Sequence, residues 1–174
     1  ERTVLLMFAT GAVLDSFQST AAAPRLVRGA ITYAAGSTGA IGSTTLFTVT
    51  GDVAITFLAA KCTTDLTSAG APTWTLGVVG NTALWSAGSS APDVTGWDTG
   101  EWYDANAAAY SLAGGSSIPN GDASQWVSGA AISANIIQTI AAATITGGVV
   151  RWYLQYVPLS GDGLVTLHAN LTAF

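Results

Sequence analysis

The stretch that decides the fold is residues 44–58, TTLFTVTGDVAITFL. Large apolar side chains occupy every second position on each side of a Gly-Asp turn: Phe47, Val49, Val53, Ile55 and Phe57. Because side chains alternate between the two faces of a strand, the pattern predicts two β-strands that each bury one face. A three-residue loop would put both buried faces on the same side, pairing Val49 with Val53 in a β-hairpin.

A second alternating stretch lies near the end of the chain, in residues 148–157. Its two sets of side chains are Val150, Trp152, Leu154 and Tyr156, and Arg151, Tyr153, Gln155 and Val157. The first set is the more apolar, so we expect it to face the core. Pro158 cannot donate a backbone hydrogen bond and is expected to end the strand.

The chain from Val27 onward is rich in Thr and Val and is punctuated by Gly, which is typical of strands and turns. We predict strands near 27–34, 43–50, 53–61, 73–79, 82–86, 100–104, 125–132, 134–141, 148–157 and 163–171. Many short strands with Gly, Pro and Asp turns indicate an all-β fold, an antiparallel β-sandwich that is jelly-roll-like. The length of 174 residues fits one such domain, 27–174, preceded by an N-terminal arm, 1–26.

The arm contains five consecutive large apolar residues: Val4, Leu5, Leu6, Met7 and Phe8. One face of a single strand or helix cannot hide five neighbouring side chains, so both sides of this segment need cover. Two interpretations remain open. The segment is an edge element of its own domain, or it is an assembly arm that lies on a neighbouring subunit.

Charge is unusually sparse, since Asp, Glu, Lys and Arg make up only 9% of the chain. A surface of Thr, Ser, Ala and Gly loses little solvation in a permanent contact, so we expect a homo-oligomer that also contacts other proteins. The net charge is −5 and the basic residues are scattered along the sequence, which argues against a nucleic-acid groove. The longest uncharged stretch, 123–150, contains several Ser, Asn and Gln residues and is not expected to span a membrane.

Four acidic residues fall within twelve positions: Asp93, Asp98, Glu101 and Asp104. They surround Trp97, Trp102 and Tyr103, which are candidates for contact with a ligand or with another subunit. Carboxylates in a loop are calcium ligands, and carboxylates beside aromatic rings occur in sugar-binding and sugar-cleaving sites. The spacing matches no specific calcium motif. The general alternative is a solvated loop whose Trp residues anchor it to the core.

Residues suited to other catalytic chemistry are scarce. His168 is the only histidine, Cys62 is the only cysteine, and no G-x-S-x-G motif is present. A single cysteine forms no intrachain disulfide and supplies no zinc motif, and Cys62 follows an apolar run that predicts a buried thiol. We therefore expect a non-enzymatic protein without a cofactor, calcium being the one weak candidate.

Two stretches resemble small β-sandwich structural proteins of tailed-bacteriophage virions, the kind that decorate heads or build tail-associated parts. They are residues 36–55, GSTGAIGSTTLFTVTGDVAI, and residues 149–163, VVRWYLQYVPLSGDG. Residues 62–146 match only in general style, and the matching motifs carry no catalytic residues.

The resemblance implies a virion component, most simply a capsid decoration or cement protein that contacts the major capsid protein and its own copies. The alternatives are a carbohydrate- or receptor-binding module of a phage fibre or tail that uses loop 93–104, and a glycan-cleaving enzyme that uses Asp98 and Glu101.

Overall fold

The computed structural model describes residues 23–85, 94, 96–104 and 130–174. The described residues form ten strands and no helix. The strands are β1 (Arg25–Thr32), β2 (Gly42–Thr50), β3 (Val53–Ser68), β4 (Thr73–Val78), β5 (Trp102–Asp104), β6 (Ala130–Ile132), β7 (Ile136–Ala141), β8 (Ile145–Pro158), β9 (Leu164–Leu167) and β10 (Thr172–Ala173).

The strands make two antiparallel sheets that pack against each other. One has six strands, in the order β10-β1-β8-β3-β5 with β6 also paired to β3, and the other has four, in the order β4-β7-β2-β9. Strands β1 to β4 alternate between the two sheets, and so do β7 to β10. This wrapping is jelly-roll-like, and the predicted all-β antiparallel sandwich is confirmed.

The predicted hairpin between β2 and β3 is wrong. Strand β2 pairs with β7 and β9, whereas β3 pairs with β8, β5 and β6, so the turn at Gly51 and Asp52 carries the chain from one sheet to the other. The expected alternation is also interrupted, because Leu46 and Phe47 are both buried and a bulge after Ile55 pairs Phe57 with Gln155. Alternation predicts a buried face, but it does not show which strand lies beside it. In this fold both strands obtain their hydrogen bonds from distant parts of the chain.

The prediction for strand β8 is confirmed. Val150, Trp152, Leu154 and Tyr156 are fully or almost fully buried between the sheets, and Arg151 is exposed on the outer side. Trp74 of the four-stranded sheet meets this face: its ring lies 5.4 Å from that of Trp152, edge to face, and 5.4 Å from that of Tyr103, stacked. Such aromatic contacts across the two sheets make up the centre of the core.

Three other expectations differ from the structure. Residues 82–85 form a turn rather than a strand, held by hydrogen bonds back to β4. The predicted strand 163–171 ends at Leu167, and β10 follows in the other sheet. Strand β1 begins at Arg25, within the predicted arm, while the arm residues Val4 to Phe8 lie outside the described residues. The part of the chain that the structure describes has no helix of membrane-crossing length and hydropathy.

Candidate interaction surface

The outer face of the six-stranded sheet gathers cations and aromatic rings in adjacent cross-strand rows. Lys61 of β3 is the register partner of Arg151 on one side and of Trp102 on the other. In the next row, Tyr153 of β8 is the partner of Arg28 in β1. Phe174 follows the neighbouring edge strand β10, and its ring lies 5.6 Å from that of Tyr153. We call Arg28, Lys61, Trp102, Arg151, Tyr153 and Phe174 the cation–aromatic face.

Each cation of this face lies over an aromatic ring. The Lys61 Nζ is 5.4 Å from the Trp102 ring centroid, and the Arg151 and Arg28 Cζ atoms are 4.6 and 5.6 Å from that of Phe174. Between them, the Tyr153 ring lies 5.4 Å from that of Trp102. Cation–π attraction at an exposed site is worth about 0.5–1 kcal/mol, so the rings hold these long side chains in place.

Charge is segregated over the described residues. Among the described side chains, Arg28, Lys61 and Arg151 make their contacts with aromatic rings. Among the described side chains, exposed carboxylates are those of Asp52 and Asp162 in the turns at one end of the strands, Asp65 near the far end of β3, and Asp98 in the turn before β5. Although the protein is acidic overall, this sheet face carries three cations, and the backbone of Asp104 lies in the same cross-strand row as Arg28 and Tyr153.

The sequence analysis missed this face, because positions 28, 61 and 151 are far apart along the chain. The one hint of this face in the sequence was that each of these cations falls within a predicted strand. Only the order β1-β8-β3-β5 brings those strands side by side. The scattered basic residues of the sequence therefore form a cluster on the folded surface.

The three aromatic residues predicted to contact a ligand or a subunit lie in different places. Trp97 and Tyr103 are buried, with their ring centroids 6.1 Å apart, and both contact Trp74 in the core. Trp102 precedes Tyr103 in β5 and faces the opposite side of the sheet, because neighbouring side chains alternate. Of the three, Trp102 alone is placed to meet another molecule.

Two carboxylates near β5 hold backbone turns, and only one of them, Glu101, was among the candidates. The Glu101 carboxylate is largely buried and accepts a 2.9 Å hydrogen bond from the backbone N–H of Asp98. The carboxylate of Asp65, which was not among the candidates, accepts hydrogen bonds from the backbone N–H and the hydroxyl of Thr99 at 2.7 and 2.6 Å. These bonds lower the pKa of Asp65.

The predicted calcium ligands are not assembled within the described residues, which contain no group of three or more His, Cys, Asp or Glu placed to hold a metal. Asp93 and the side chain of Asp104 lie outside those residues. The described carboxylates of this region thus make hydrogen bonds that shape the loop before β5.

His168 and Cys62 are both held by local hydrogen bonds. The Nδ1 atom of His168 accepts a 3.3 Å bond from the backbone N–H of Asn170, and its backbone N–H donates to Leu46. The Cys62 thiol is buried, as predicted, and donates to the carbonyls of Thr64 and Trp97 at 3.1 and 3.4 Å.

Burial raises the pKa of the Cys62 thiol to about 11. The unfolded chain releases this proton near its ordinary value of about 8.5, whereas the native chain keeps it to a higher pH. The contribution to stability is therefore complete below about pH 8.5 and is lost as pH rises towards 11. We expect the free energy of unfolding to fall by about 1–2 kcal/mol more in the native sequence than in Cys62→Ala over this range. Urea titrations at several pH values measure the difference, and equal pH dependence in both proteins would contradict it.

Comparison of the chain with protein-family models, with curated proteins and with solved structures found no match. The class is therefore defined by the fold and the surface: an all-β sandwich whose larger sheet carries an exposed cation–aromatic face.

Proposed function

We propose that this chain is a virion structural protein, a capsid decoration or cement protein that stabilises the head through subunit–subunit contacts. The observation that carries the proposal is the cation–aromatic face. The resemblance of residues 36–55 and 149–163 to structural proteins of tailed-bacteriophage virions supports a place in the virion.

The composition of the face supports a protein partner. Trp, Tyr and Arg are the residues that most often dominate the binding energy of protein interfaces, and Phe is enriched there as well. The rings of Trp102 and Tyr153 are half-buried, so part of their apolar area remains for a partner to cover. Leu26, which is 58% exposed, extends this area along β1, two residues from Arg28 and on the same face.

The mechanism is burial of this surface against neighbouring subunits. A bound copy stabilises the folded and assembled state of its partner. The stabilisation grows with the logarithm of the ratio of this protein's free concentration to the dissociation constant of the contact. The low charge content of the remaining surface favours additional close contacts, because few charged groups must lose water. The major capsid protein and further copies of this chain are the proposed partners.

A carbohydrate- or receptor-binding module is less well supported. Two of the aromatic rings in loop 93–104, which such a module would use to bind sugar, are those of Trp97 and Tyr103, and both are in the core. The remaining ring, that of Trp102, has the Lys61 ammonium over it, where a sugar would need to stack. We also propose no glycan-cleaving activity, since Glu101 is largely buried and bonded to the backbone of Asp98.

Particle composition tests the proposal. Virions are purified by density gradient from a culture whose genome encodes the chain, heads are separated from tails, and both fractions are analysed by quantitative mass spectrometry. We expect the chain in the head fraction in a fixed ratio to the major capsid protein. A replication protein from the same genome is the control for contamination. Absence of the chain from particles, or its presence only in tails, would contradict the proposal.

A further inference from the structure

We infer that the apolar segment Val4–Phe8 of one copy of this chain adds a strand to the edge of β1 in a second copy, at Arg25–Arg28. The inference deepens the proposed function by naming a contact between copies, and it rests on that function in one respect, namely that the chain assembles. Residues 1–22 lie outside the described residues, so the supporting observations are those of the β1 edge and of the arm's sequence.

The acceptor is the first half of β1. Strand β8 pairs with the whole of β1 on one side. On the other side, within the part of the chain that the structure describes, β10 pairs only with Gly29 and Ala30. We call the preceding residues, Arg25–Arg28, the acceptor edge. An edge of this kind offers backbone N–H and C=O groups to an added strand.

Both faces of the acceptor edge carry incompletely covered apolar side chains. Leu26 is 58% exposed on the outer face of the sheet. Val27 lies on the core side, in register with the buried Leu154, yet it is only half-buried. A neighbouring strand would cover both side chains, because its own side chains alternate between the two faces.

The arm has the side chains that such an edge requires. In a strand, Val4, Leu6 and Phe8 point to one face, and Leu5 and Met7 point to the other. Strands of a sheet with one solvated face alternate apolar and polar residues, whereas this run is apolar at every position. It therefore matches an edge with apolar area to cover on both faces.

The two edges of the four-stranded sheet are less suitable. Strand β4 is partly capped, since the backbone N–H of Trp85 donates a hydrogen bond to the carbonyl of Leu76. At β9, the core-side Val165 is only 3% exposed, and Leu167 packs against Gly29 of β1. A strand added at β9 would thus gain less apolar burial than one added at the acceptor edge.

The connection to β1 favours a neighbouring copy over the same chain. Sixteen residues, 9–24, separate the apolar run from β1. Loops of hairpins usually have about 2–5 residues, and loops beyond about 12–15 are uncommon. Sixteen extended residues reach roughly 50 Å, which is enough to carry the arm to an adjacent copy. Each copy then gives one arm and receives one, in a reciprocal dimer, a ring or an open chain.

Association of the full chain measures the two sides of the contact. Sedimentation velocity over a concentration series compares the native sequence with the arm variant, Leu6→Asp, and the edge variant, Leu26→Asp. Each should raise the dissociation constant at least about tenfold, because a carboxylate would be buried in the added strand pair. The matched controls are Thr10→Asp, beyond the apolar run, and Leu164→Asp, on β9, where the leucine is 42% exposed. Both should change the dissociation constant less than about twofold.

Mixing the two variants tests whether arm and edge belong to different copies. Alone, each variant lacks one side of the contact. Mixed in equal amounts, they should form a two-chain complex in which the intact arm of the edge variant binds the intact edge of the arm variant. Circular dichroism and thermal unfolding establish that both variants are folded.

Cross-linking tests the same contact without a disruptive substitution. The photoreactive analogue p-benzoylphenylalanine replaces Phe8, and unlabelled chains are assembled with an equal amount of isotope-labelled chains. Mass spectrometry should find position 8 joined to residues of the acceptor edge. Peptide pairs that combine the two isotope labels should be as frequent as pairs with a single label, because the contact lies between chains.

Several results would overturn the inference: a native chain that stays monomeric, arm and edge variants that assemble like their controls, no complex on mixing, or cross-links that join other segments or only residues of one chain. If the edge variant does not fold, the cross-links decide. None of these results alters the particle composition measured above. The inference and the proposed function can therefore fail separately.

Discussion

Replacing Trp152 by alanine is expected to lower the free energy of unfolding by about 3–5 kcal/mol, the range for a large aromatic side chain removed from a core. Trp152 is completely buried at the middle of β8, and its ring meets that of Trp74 from the opposite sheet and that of Tyr103 from the same sheet. The strands around Trp152 are held in place by their hydrogen bonds to neighbouring strands. The cavity left by the substitution therefore cannot be filled by a local shift of one strand.

Urea unfolding followed by circular dichroism measures this loss. Trp102→Ala is the matched control, because it removes the same side chain from the outer face of the same sheet, where Trp102 contacts Lys61 and Tyr153. We expect the control to lose less than about 2 kcal/mol, since only part of its area is buried. A loss below about 1 kcal/mol for Trp152→Ala would contradict the assigned position of this side chain.

Replacing Gly39 by alanine is expected to destabilise the fold by about 3 kcal/mol or more, since overpacking against a backbone atom leaves nothing flexible to move. A methyl group at this position would overlap the carbonyl oxygen of Ile145. The Gly39 backbone cannot easily retreat, because its N–H donates to Ala34 and its carbonyl accepts from Ile145, both at 2.9 Å.

Gly36→Ala is the control for this substitution. Gly36 lies three residues earlier in the same loop, and a methyl group there would meet no other atom within 4 Å. Its change in stability is expected to stay within about 0.5 kcal/mol. Thermal unfolding of the two variants side by side measures the contrast, and similar midpoints would show that the loop does not pack against β8 as described.

The sequence by itself determined the class of the fold and the inside and outside of its clearest strands. In residues 148–157 the apolar side chains recur with period two, and burial follows that period without exception at Val150, Trp152, Leu154 and Tyr156. The physical reason is local: successive side chains of a strand point to opposite faces, so alternation in the sequence becomes alternation in burial. The buried thiol of Cys62 was predicted from the apolar run that precedes it, and the structure confirms it.

Only the tertiary structure decided which strands are neighbours. Strands β2 and β3 are separated by two residues in the chain, yet they lie in different sheets. Strand β3 forms its longest pairing with β8, in which Lys61 lies opposite Arg151, about ninety residues further along the chain. A period of two is compatible with any partner, because the backbone hydrogen bonds of a strand carry no information about sequence.

The candidate interaction surface depends on that same decision. Strand order places Arg28, Lys61 and Arg151 on one face with Trp102, and the segment before β5 buries Trp97 in the core. From the sequence, all of these were separate charges and rings with unknown neighbours. Their grouping arises from pairings between strands distant in the chain, and the burial energy of the whole sandwich selects those pairings.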